Sequence, residues 1–353
     1  SWMGIAGQRR PPQTTSALTP PTSGQEAGAL RFRVPLTAPT FEHVVRWGAQ
    51  LTVKDSPEVI TVTPLVTVEE NGGYLVADAR EAQIRSYSPT GELLVHFGRQ
   101  GQGPGEFTSL SGLVRLSGDQ ILASDMGGKL TTFTNTGRVL RTDAVPLTPL
   151  YGIARLNDST IILLGRSEGD GPVHLLHLWD LKTHKLRHSF FPEPAHRTEF
   201  DDAYRFSGFP TVSVRGGRIA AMFALDPRIR IFDEQGRQTE VISVPFRDFR
   251  QLPAPTPPSG SPEAFQRWVE SFSVISRIVW TDDGSFFVQY FDKVGREPQW
   301  KLLHMSGRGE RRFEGPSPKL LTAVSSNQLL FDAPDSDEPN VWQFASIPDT
   351  PGD

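Results

Sequence analysis

The feature that most constrains the fold is a unit of short strands and tight turns that recurs along the chain. Its clearest copy runs from Tyr74 to Phe107 and reads YLVADAREAQIRSYSPTGELLVHFGRQGQGPGEF. An apolar run ends at Asp78, a second run from Ile84 to Tyr87 alternates polar and apolar residues, and a third spans Leu93 to Phe97. The Ser-Pro-Thr-Gly segment before the third run predicts a tight turn, because Pro fixes φ and Gly tolerates a positive φ.

Similar units follow one another at a period of about 40 to 55 residues, each with about four short strands, which is typical of a β-propeller. Five units are near complete and a sixth is short of a strand: 57–107, 110–150, 151–202, 203–252, 261–318 and 319–347. Spare strand-like runs between Arg31 and Val53 can complete the sixth unit and remove the open seam of the ring. The sequence therefore predicts an all-β fold over residues 31–347, a six-bladed β-propeller closed by an N-terminal strand.

One insertion, residues 252–272, interrupts the repeat. Leu252–Gly260 is rich in Pro and cannot be a central strand. Ser261 then suits a helix N-cap and Pro262 the first helical position. Apolar residues recur on one face at helical spacing: Phe265, Trp268, Val269 and Phe272. This pattern predicts one short inserted helix, either covering the ends of blade strands or docking on a partner; we favour the first, because amphipathic helices usually face their own core.

Residues 1–30 form a separate segment whose composition, rich in Pro and Thr, lacks an apolar period and predicts an extended arm. Its tip is apolar and two cations follow it, so the candidate partner-binding residues are Trp2, Met3, Ile5, Arg9 and Arg10. Such an arm either packs on its own propeller or anchors the protein on a partner protein or a membrane interface. Residues 348–353 are a C-terminal tail.

Charge and composition exclude several classes of function. The chain has 36 Lys and Arg against 40 Asp and Glu, and a nucleic-acid binder normally has a basic excess. It has no Cys, which excludes disulfides and thiolate chemistry. No apolar run in the given chain approaches the roughly 20 residues that span a bilayer. A chain that begins with Ser is typical of a removed signal peptide or a trimmed terminus, and we favour export to an extracytoplasmic, periplasmic location peripheral to a membrane.

The run FGRQGQGPGEF, from Phe97 to Phe107, resembles the G-x-x-G-x-G-P-G-E-F hallmark of bacterial six-bladed β-propellers related to NHL-repeat propellers. The strand and turn from Val76 to Leu93 and the run from Val274 to Val288 are also similar to that family. The resemblance covers about residues 57–345 by the repeat argument. It implies a fold and no particular activity, and many members of the family are exported bacterial proteins.

A carboxylate follows the second strand of nearly every unit, at Asp78, Asp125, Asp226, Asp292 and Asp332. Such a ring of carboxylates could hold a ligand. Repetition in nearly all units is instead what a structural role predicts, because a catalytic group needs only one copy. We therefore interpret these residues as Asx-type caps of equivalent turns.

Two further patterns resemble ligand sites. The glycine-rich segment Gly98–Gly105 is followed by a strand and has no Lys, whereas a phosphate loop needs a following helix; we interpret it as an inter-blade connection, with Phe107 packing between blades. Four histidines lie close together in the sequence: His174, His177, His184 and His188. Because strand side chains alternate between faces, His174 and His177 point apart, which disfavours a metal site.

Two charged clusters have simpler interpretations than binding. The loop Asp332–Asn340 is acidic but lacks calcium-loop spacing and contains two Pro, so we expect it to be solvated. The basic cluster Arg308, Arg311 and Arg312 is also expected to be solvated.

Taken as a whole, the sequence favours a non-catalytic scaffold: an exported propeller docked as an accessory subunit on a membrane protein complex, for example a photosynthetic or respiratory one. The alternative is a hydrolase or lyase, similar to propeller lactonases, with its site in the central channel; that alternative depends on fold analogy. No catalytic residue, metal ligand or cofactor is predicted. Convergent carboxylates, Asn and His in the channel would favour the enzyme.

Overall fold

The computed structural model of the protein describes residues 46–52, 65–68, 72–78, 81–167, 172–193, 210–253, 261–294, 297–325, 328–332 and 341–346. All of these lie in one compact unit, Pro39–Asp353. The predicted arm, the predicted strand that begins at Arg31, the acidic loop beyond Asp332 and the C-terminal tail lie outside the described residues.

The described strands pair into six four-stranded antiparallel sheets and one two-stranded parallel ladder. The first sheet contains β2 (Leu65–Val68), β3 (Tyr74–Asp78), β4 (Gln83–Tyr87) and β5 (Leu93–Phe97). The ladder consists of β6 (Arg99–Gln100) and β7 (Glu106–Phe107). The second sheet contains β8 (Leu110–Leu116), β9 (Gln120–Asp125), β10 (Lys129–Thr134) and β11 (Val139–Ala144). The third contains β12 (Leu147–Arg155), β13 (Thr160–Ser167), β14 (His174–Asp180) and β15 (Lys185–Pro192).

The remaining sheets follow the same pattern of consecutive antiparallel strands. The fourth contains β16 (Thr211–Arg215), β17 (Arg218–Met222), β18 (Arg228–Phe232) and β19 (Gln238–Ser243). The fifth contains β20 (Ser273–Trp280), β21 (Phe286–Val294), β22 (Glu297–Met305) and β23 (Arg311–Pro316). The sixth contains β24 (Leu320–Ser325), β25 (Gln328–Asp332) and β26 (Val341–Ser346), and its fourth strand is β1 (Arg46–Thr52), which pairs with β26.

The core lies between the sheets. Clusters of buried apolar side chains each join two sheets that follow one another in the chain. A further cluster joins the first sheet to the sixth and contains Val66, Tyr74, Val76, Tyr87, Leu330 and Trp342. The first strands of consecutive sheets contact each other, and β24 contacts β2. Sheets packed face to face in this way confirm the predicted all-β propeller with one helix.

The turns between third and fourth strands explain the recurring Gly of the repeat. Gly91 has φ 83° and its N–H donates to the Ser88 carbonyl at 3.0 Å. Gly137 occupies the same place in the second sheet, with φ 84° and a 3.0 Å bond from its N–H to the Thr134 carbonyl. A positive φ is costly for other residues, so the repeat keeps Gly where the outer hairpin turns.

The single helix of the described residues, α1 (Pro262–Val269), begins as the sequence predicts. The Ser261 hydroxyl accepts from the Ala264 N–H at 3.2 Å. The apolar face packs into a buried cluster beside the fifth sheet: Ala224, Trp268, Val269, Phe272 and Val274. The helix therefore covers its own core, as the favoured interpretation proposed.

Candidate functional site: the central cavity

The candidate site is a cavity of about 530 Å³ between the first strands of the first five sheets. Its lining combines apolar residues with several hydroxyl groups and two charged side chains, Arg155 and Arg277. The described lining contains no Asp, Glu, His or Asn. Two cations without a lining carboxylate give this part of the cavity a positive character.

Three of the lining strands have an irregular register at the cavity. In β8, β12 and β20, one residue without a Cα partner in the neighbouring strand interrupts the pairing: Ser111, Tyr151 and Ser276. The residues that resume the pairing are Gly112, Gly152 and Arg277. A bulge of this kind bends the strand and re-aims its side chains. The residue after the bulge is therefore an arginine in the fifth sheet, whereas it is a glycine in the second and third sheets.

Hydroxyl groups hold neighbouring inner strands together. The Thr67 hydroxyl of β2 donates to the Leu113 carbonyl of β8 at 3.2 Å. The Ile278 N–H of β20 donates to the Thr211 hydroxyl of β16 at 3.2 Å. Ser276 is engaged within its own sheet, where its hydroxyl donates to the Gln289 carbonyl at 3.2 Å. These hydroxyls thus have structural partners.

The two arginines of the lining differ in their partners. Arg155 donates to the Ser117 hydroxyl at 3.0 Å and pairs with Asp158. Arg277 is half-buried and makes no hydrogen bond or ion pair with any residue in the described ranges. Desolvation lowers the pKa of its guanidinium to about 10, so the group stays charged at neutral pH.

A second cation, Lys319, lies near enough to Arg277 and to the Asp332 carboxylate to interact with both charges. Desolvation and the charge of Arg277 lower the pKa of Lys319, while Asp332 opposes them. Desolvation raises the pKa of Asp332. Gln289, the register partner of Arg277, accepts from the Leu320 N–H at 2.9 Å and donates to the Pro318 carbonyl at 2.8 Å. The Gln289 amide is thus engaged by the backbone that enters β24.

Two of the repeated aspartates are turn caps, as predicted. Asp78 accepts from the Glu81 N–H at 3.2 Å and also forms an ion pair with Arg85 at 3.4 Å. Asp125 is buried and accepts from the N–H groups of Gly127 at 2.8 Å, Thr108 at 2.5 Å and Ser109 at 3.1 Å. Asp125 thereby fixes its own turn and the connection that enters its sheet.

The Asx-type interpretation is wrong for Asp226 and Asp292, which form ion pairs. Burial would raise the pKa of Asp226, but hydrogen bonds from Arg228 at 2.7 Å and Arg230 at 2.8 Å lower it. Asp292 accepts from the Ser273 hydroxyl at 2.5 Å and from Lys301 at 2.8 Å. The sequence repeats the carboxylate, but neighbouring cations decide its partners.

Several N–H groups of the glycine-rich connection bond within the connection itself. The Gly103 N–H donates to the Glu106 carboxylate at 2.9 Å, and the Gly101 N–H donates to the Phe107 carbonyl at 3.1 Å. The fold does bring a lysine, Lys129 of β10, but it donates to the Glu106 carbonyl at 2.6 Å. Phe107 is fully buried in the cluster between the first two sheets, as predicted.

The clustered histidines are engaged in local contacts. His177 is buried, with Nδ1 2.8 Å from the Ser189 hydroxyl and Nε2 3.1 Å from the Gly165 carbonyl. Desolvation lowers its pKa to about 4. His184 lies in the following turn, with Nδ1 3.1 Å from Asp143. Within the described ranges, no group of three or more His, Cys, Asp or Glu is placed to hold a metal ion.

The predicted partner-binding residues Trp2, Met3, Ile5, Arg9 and Arg10 lie outside the described residues. In the predicted basic cluster, Arg308 is exposed as expected. Its two neighbours are engaged: Arg311 donates to the Pro245 carbonyl at 3.1 Å, and Arg312 lies 3.8 Å from Asp283. No helix in the described part of the chain is long and apolar enough to cross a membrane.

Sequence reasoning missed Arg277. A signal was present, because Arg277 lies in the run VISRIVW, in which Ser276 is the only other polar residue. A charged residue inside an inner strand is rare unless it is paired or functional.

No protein-family model matches the chain, and no curated protein does either. Solved structures do match. A Bacteroides fragilis NCTC 9343 protein provisionally assigned as exported is 15% identical, with a TM-score of 0.60 over 88% of this chain and 97% of that one. A DUF4221-family member from Bacteroides vulgatus is 12% identical, with a TM-score of 0.60 over 86% and 97%. A luciferin-regenerating enzyme is 11% identical, with a TM-score of 0.51 over 84% and 94%. At these identities the likeness is one of fold.

Proposed function

We propose that the protein is a non-catalytic interaction propeller that docks as an accessory subunit on a membrane protein complex. The observation that carries this proposal is the composition of the central cavity. Its described lining offers two arginines and hydroxyl groups that mostly bond to the protein itself, with no carboxylate or imidazole. A hydrolase or lyase needs a general acid, a base or metal ligands at the place where its substrate binds. The lactonase-like alternative therefore lacks its chemical groups in this part of the site.

We also propose that the six sheets are the blades of one ring that the N-terminal strand closes. The support is the pairing of β1 with β26, in which Arg46 is opposite Ser346 and Thr52 is opposite Val341. The buried cluster between the first and sixth sheets adds to it. A ring joined through both chain ends leaves no open seam between its first and last blades.

The proposed docking element is the arm, residues 1–30, with Trp2, Met3 and Ile5 at its tip and Arg9 and Arg10 behind them. An apolar tip followed by cations suits a tether whose end is buried in a partner or at a lipid interface. We place the protein outside the cytoplasm, in the periplasm and peripheral to a membrane. Fold likeness to a bacterial protein provisionally assigned as exported is compatible with that location.

The test is deletion of residues 1–28 from the full chain. The propeller should fold without them, because its strands begin later in the sequence. We expect an unchanged melting temperature and loss of the protein from its complex or membrane fraction, measured by pull-down and fractionation beside a thermal melt. As a matched control in the same arm, Thr14, Thr15 and Thr19 are changed to Ser, which keeps both the tip and the cations.

Two results would contradict the tether. If the truncated protein unfolds, the arm is part of the propeller. If it still co-purifies fully with its partner, docking depends on another surface.

A further inference from the structure

We propose that the central cavity binds a small organic anion and that Arg277 is its charge partner. This goes beyond the scaffold role, because it assigns a ligand site to the propeller itself. The ligand class is an apolar molecule that carries a carboxylate or a phosphate.

The first argument is the state of Arg277. It lines the cavity, is charged at neutral pH and has no ion pair or hydrogen bond to the residues that the structure describes. A desolvated cation without a partner is costly in a folded protein. Its guanidinium presents a planar fork of donors that fits a carboxylate or a phosphate with two parallel bonds. A ligand anion would satisfy the donors that the described part of the fold leaves open.

The second argument is the charge around it. Arg155, the other cation of the lining, already pairs with Asp158. Near Arg277, Lys319 is a further cation, and Asp332 attracts it. The described lining itself has no carboxylate to compete with an incoming anion. The remaining field at Arg277 is positive, and low-dielectric walls focus such a field.

The third argument is the shape and chemistry of the rest of the cavity. At about 530 Å³, it has the size of ordinary small-molecule sites. Apolar residues from all five contributing strands line it: Leu65, Leu113, Ile153, Val212 and Ile278. One unpaired charge beside a lining that is partly apolar suits an amphipathic anion better than a free inorganic ion, because the apolar part of the lining can cover an apolar body.

The fourth argument is the break in the repeat. The position after the bulge is Gly112 in the second sheet, where a Cβ would come within 2.7 Å of the Ile153 nitrogen, and Gly152 in the third. Only the fifth of these three sheets has Arg there. A structural need shared by the blades would recur, whereas a ligand needs one charged group.

The experiment measures the binding of three probes to the full chain by fluorine NMR: 4-(trifluoromethyl)benzoate, 4-(trifluoromethyl)phenyl phosphate and the neutral 4-(trifluoromethyl)benzamide. The two anions distinguish a carboxylate ligand from a phosphate ligand. We expect at least one anion to bind with a Kd below about 1 mM. The benzamide should bind about tenfold more weakly or worse, because it cannot form charge-assisted bonds with Arg277.

Variants locate the site. Arg277→Met should reduce anion affinity about tenfold, to the level of the benzamide, and Arg277→Lys should retain part of it. Arg308→Met is the matched control: it removes the same charge from an exposed turn, and anion binding should not change. Ser276→Phe fills the cavity beside an intact Arg277 and should abolish binding of every probe.

The proposal is overturned if neither anion binds, if the benzamide binds as well as the anions, or if Arg277→Met binds the anions as the unchanged protein does. Thermal melts of each variant verify folding. If Arg277→Met does not fold, the proposal is tested by two other results: the affinities of the charged and neutral probes for the unchanged protein, and the loss of binding in Ser276→Phe. Anion binding that survives Ser276→Phe also overturns it, because the site would then lie elsewhere.

Discussion

The glycine-rich connection between the first two sheets and the inner strand β20 differ in whether their polar groups have partners within the protein. In the connection, N–H groups, the Glu106 carboxylate and the incoming Lys129 are bonded to each other. In β20, Arg277 faces a cavity with no partner in the described ranges. The connection resembles a ligand loop in sequence, yet Gly101, Gly103 and Lys129 already donate hydrogen bonds within the protein. The strand β20 carries no recognisable ligand motif, yet its Arg277 is charged and has no partner in the described ranges.

The difference teaches where function can be sought in a repeated fold. Groups that recur, such as Asp78 and Asp125, bond to the backbone that every blade must fix. Arg277 interrupts the repeat, so the structural role that the repeated residues share does not explain it. The contrast predicts that changes in the connection cost stability and changes at Arg277 cost binding.

The largest expected effect is in the connection. Phe107→Ala should lower the free energy of unfolding by about 3–5 kcal/mol, because it leaves a cavity in a close-packed cluster. Phe107 is fully buried, with its ring centroid 6.1 Å from that of Phe133 in the next sheet. Urea denaturation at pH 7 measures the change.

The control for that prediction is Leu94→Ala on the edge strand β5, where the side chain is 60% exposed. This change should alter the free energy of unfolding by less than about 0.5 kcal/mol. A similar small loss for Phe107→Ala would show that the connection does not join the two sheets energetically.

The sequence could predict the repeat, the turn chemistry and the helix because each depends on local patterns. Gly91 marks a turn with positive φ, and Ser261 caps α1, whatever the rest of the chain does. The partners of Asp226 and Asp292 could not be read in this way. Arg230 is four residues from Asp226 and their pairing is visible only with strand geometry, while Lys301 reaches Asp292 from a neighbouring strand.

The cavity is the least predictable part. Its lining comes from five strands far apart in the sequence, and a bulge in β20 decides how Arg277 is presented. Bulges depend on how two strands pair, which periodicity alone does not show. The arm residues, from Trp2 to Arg10, stay a prediction from composition.

A second bonded group, His177 in the third sheet, extends the comparison to pH. Both ring nitrogens have partners, and burial lowers its pKa to about 4. The histidine is therefore protonated near pH 6.5 in the unfolded chain but only near pH 4 in the folded protein. Its contribution to the free energy of unfolding is complete above about pH 6.5 and decreases as the pH falls below that value. Between pH 7 and pH 5, this group should account for a loss of about 2 kcal/mol.

His177→Gln tests this by urea denaturation at both pH values. The variant should be less stable at pH 7 but should lose about 2 kcal/mol less than the unchanged protein on acidification. His304, whose pKa is also lowered to about 4 by desolvation, keeps its own contribution in both proteins. His96→Gln, at an exposed position of β5, should leave the pH dependence unchanged. An identical pH dependence in His177→Gln would mean that folding does not lower the pKa of this histidine.

The smallest expected effect on stability is at Arg277, and it tests the half of the comparison that concerns β20. Desolvation lowers the pKa of this guanidinium to about 10, so the folded protein holds the charged form less favourably than water does. Arg277→Met keeps much of the apolar stem and removes the charge. The free energy of unfolding at pH 7 should therefore stay the same or rise by up to about 1 kcal/mol, because replacing a desolvated charge with an apolar group is often neutral or stabilising. Urea denaturation beside Arg308→Met, an exposed arginine, separates this local effect from the change in net charge. A loss of about 2 kcal/mol or more would show that Arg277 has a structural partner, since removing one member of a buried ion pair leaves the other charge buried without a partner. The strand would then resemble the connection, with its charge used by the fold and none left for a ligand.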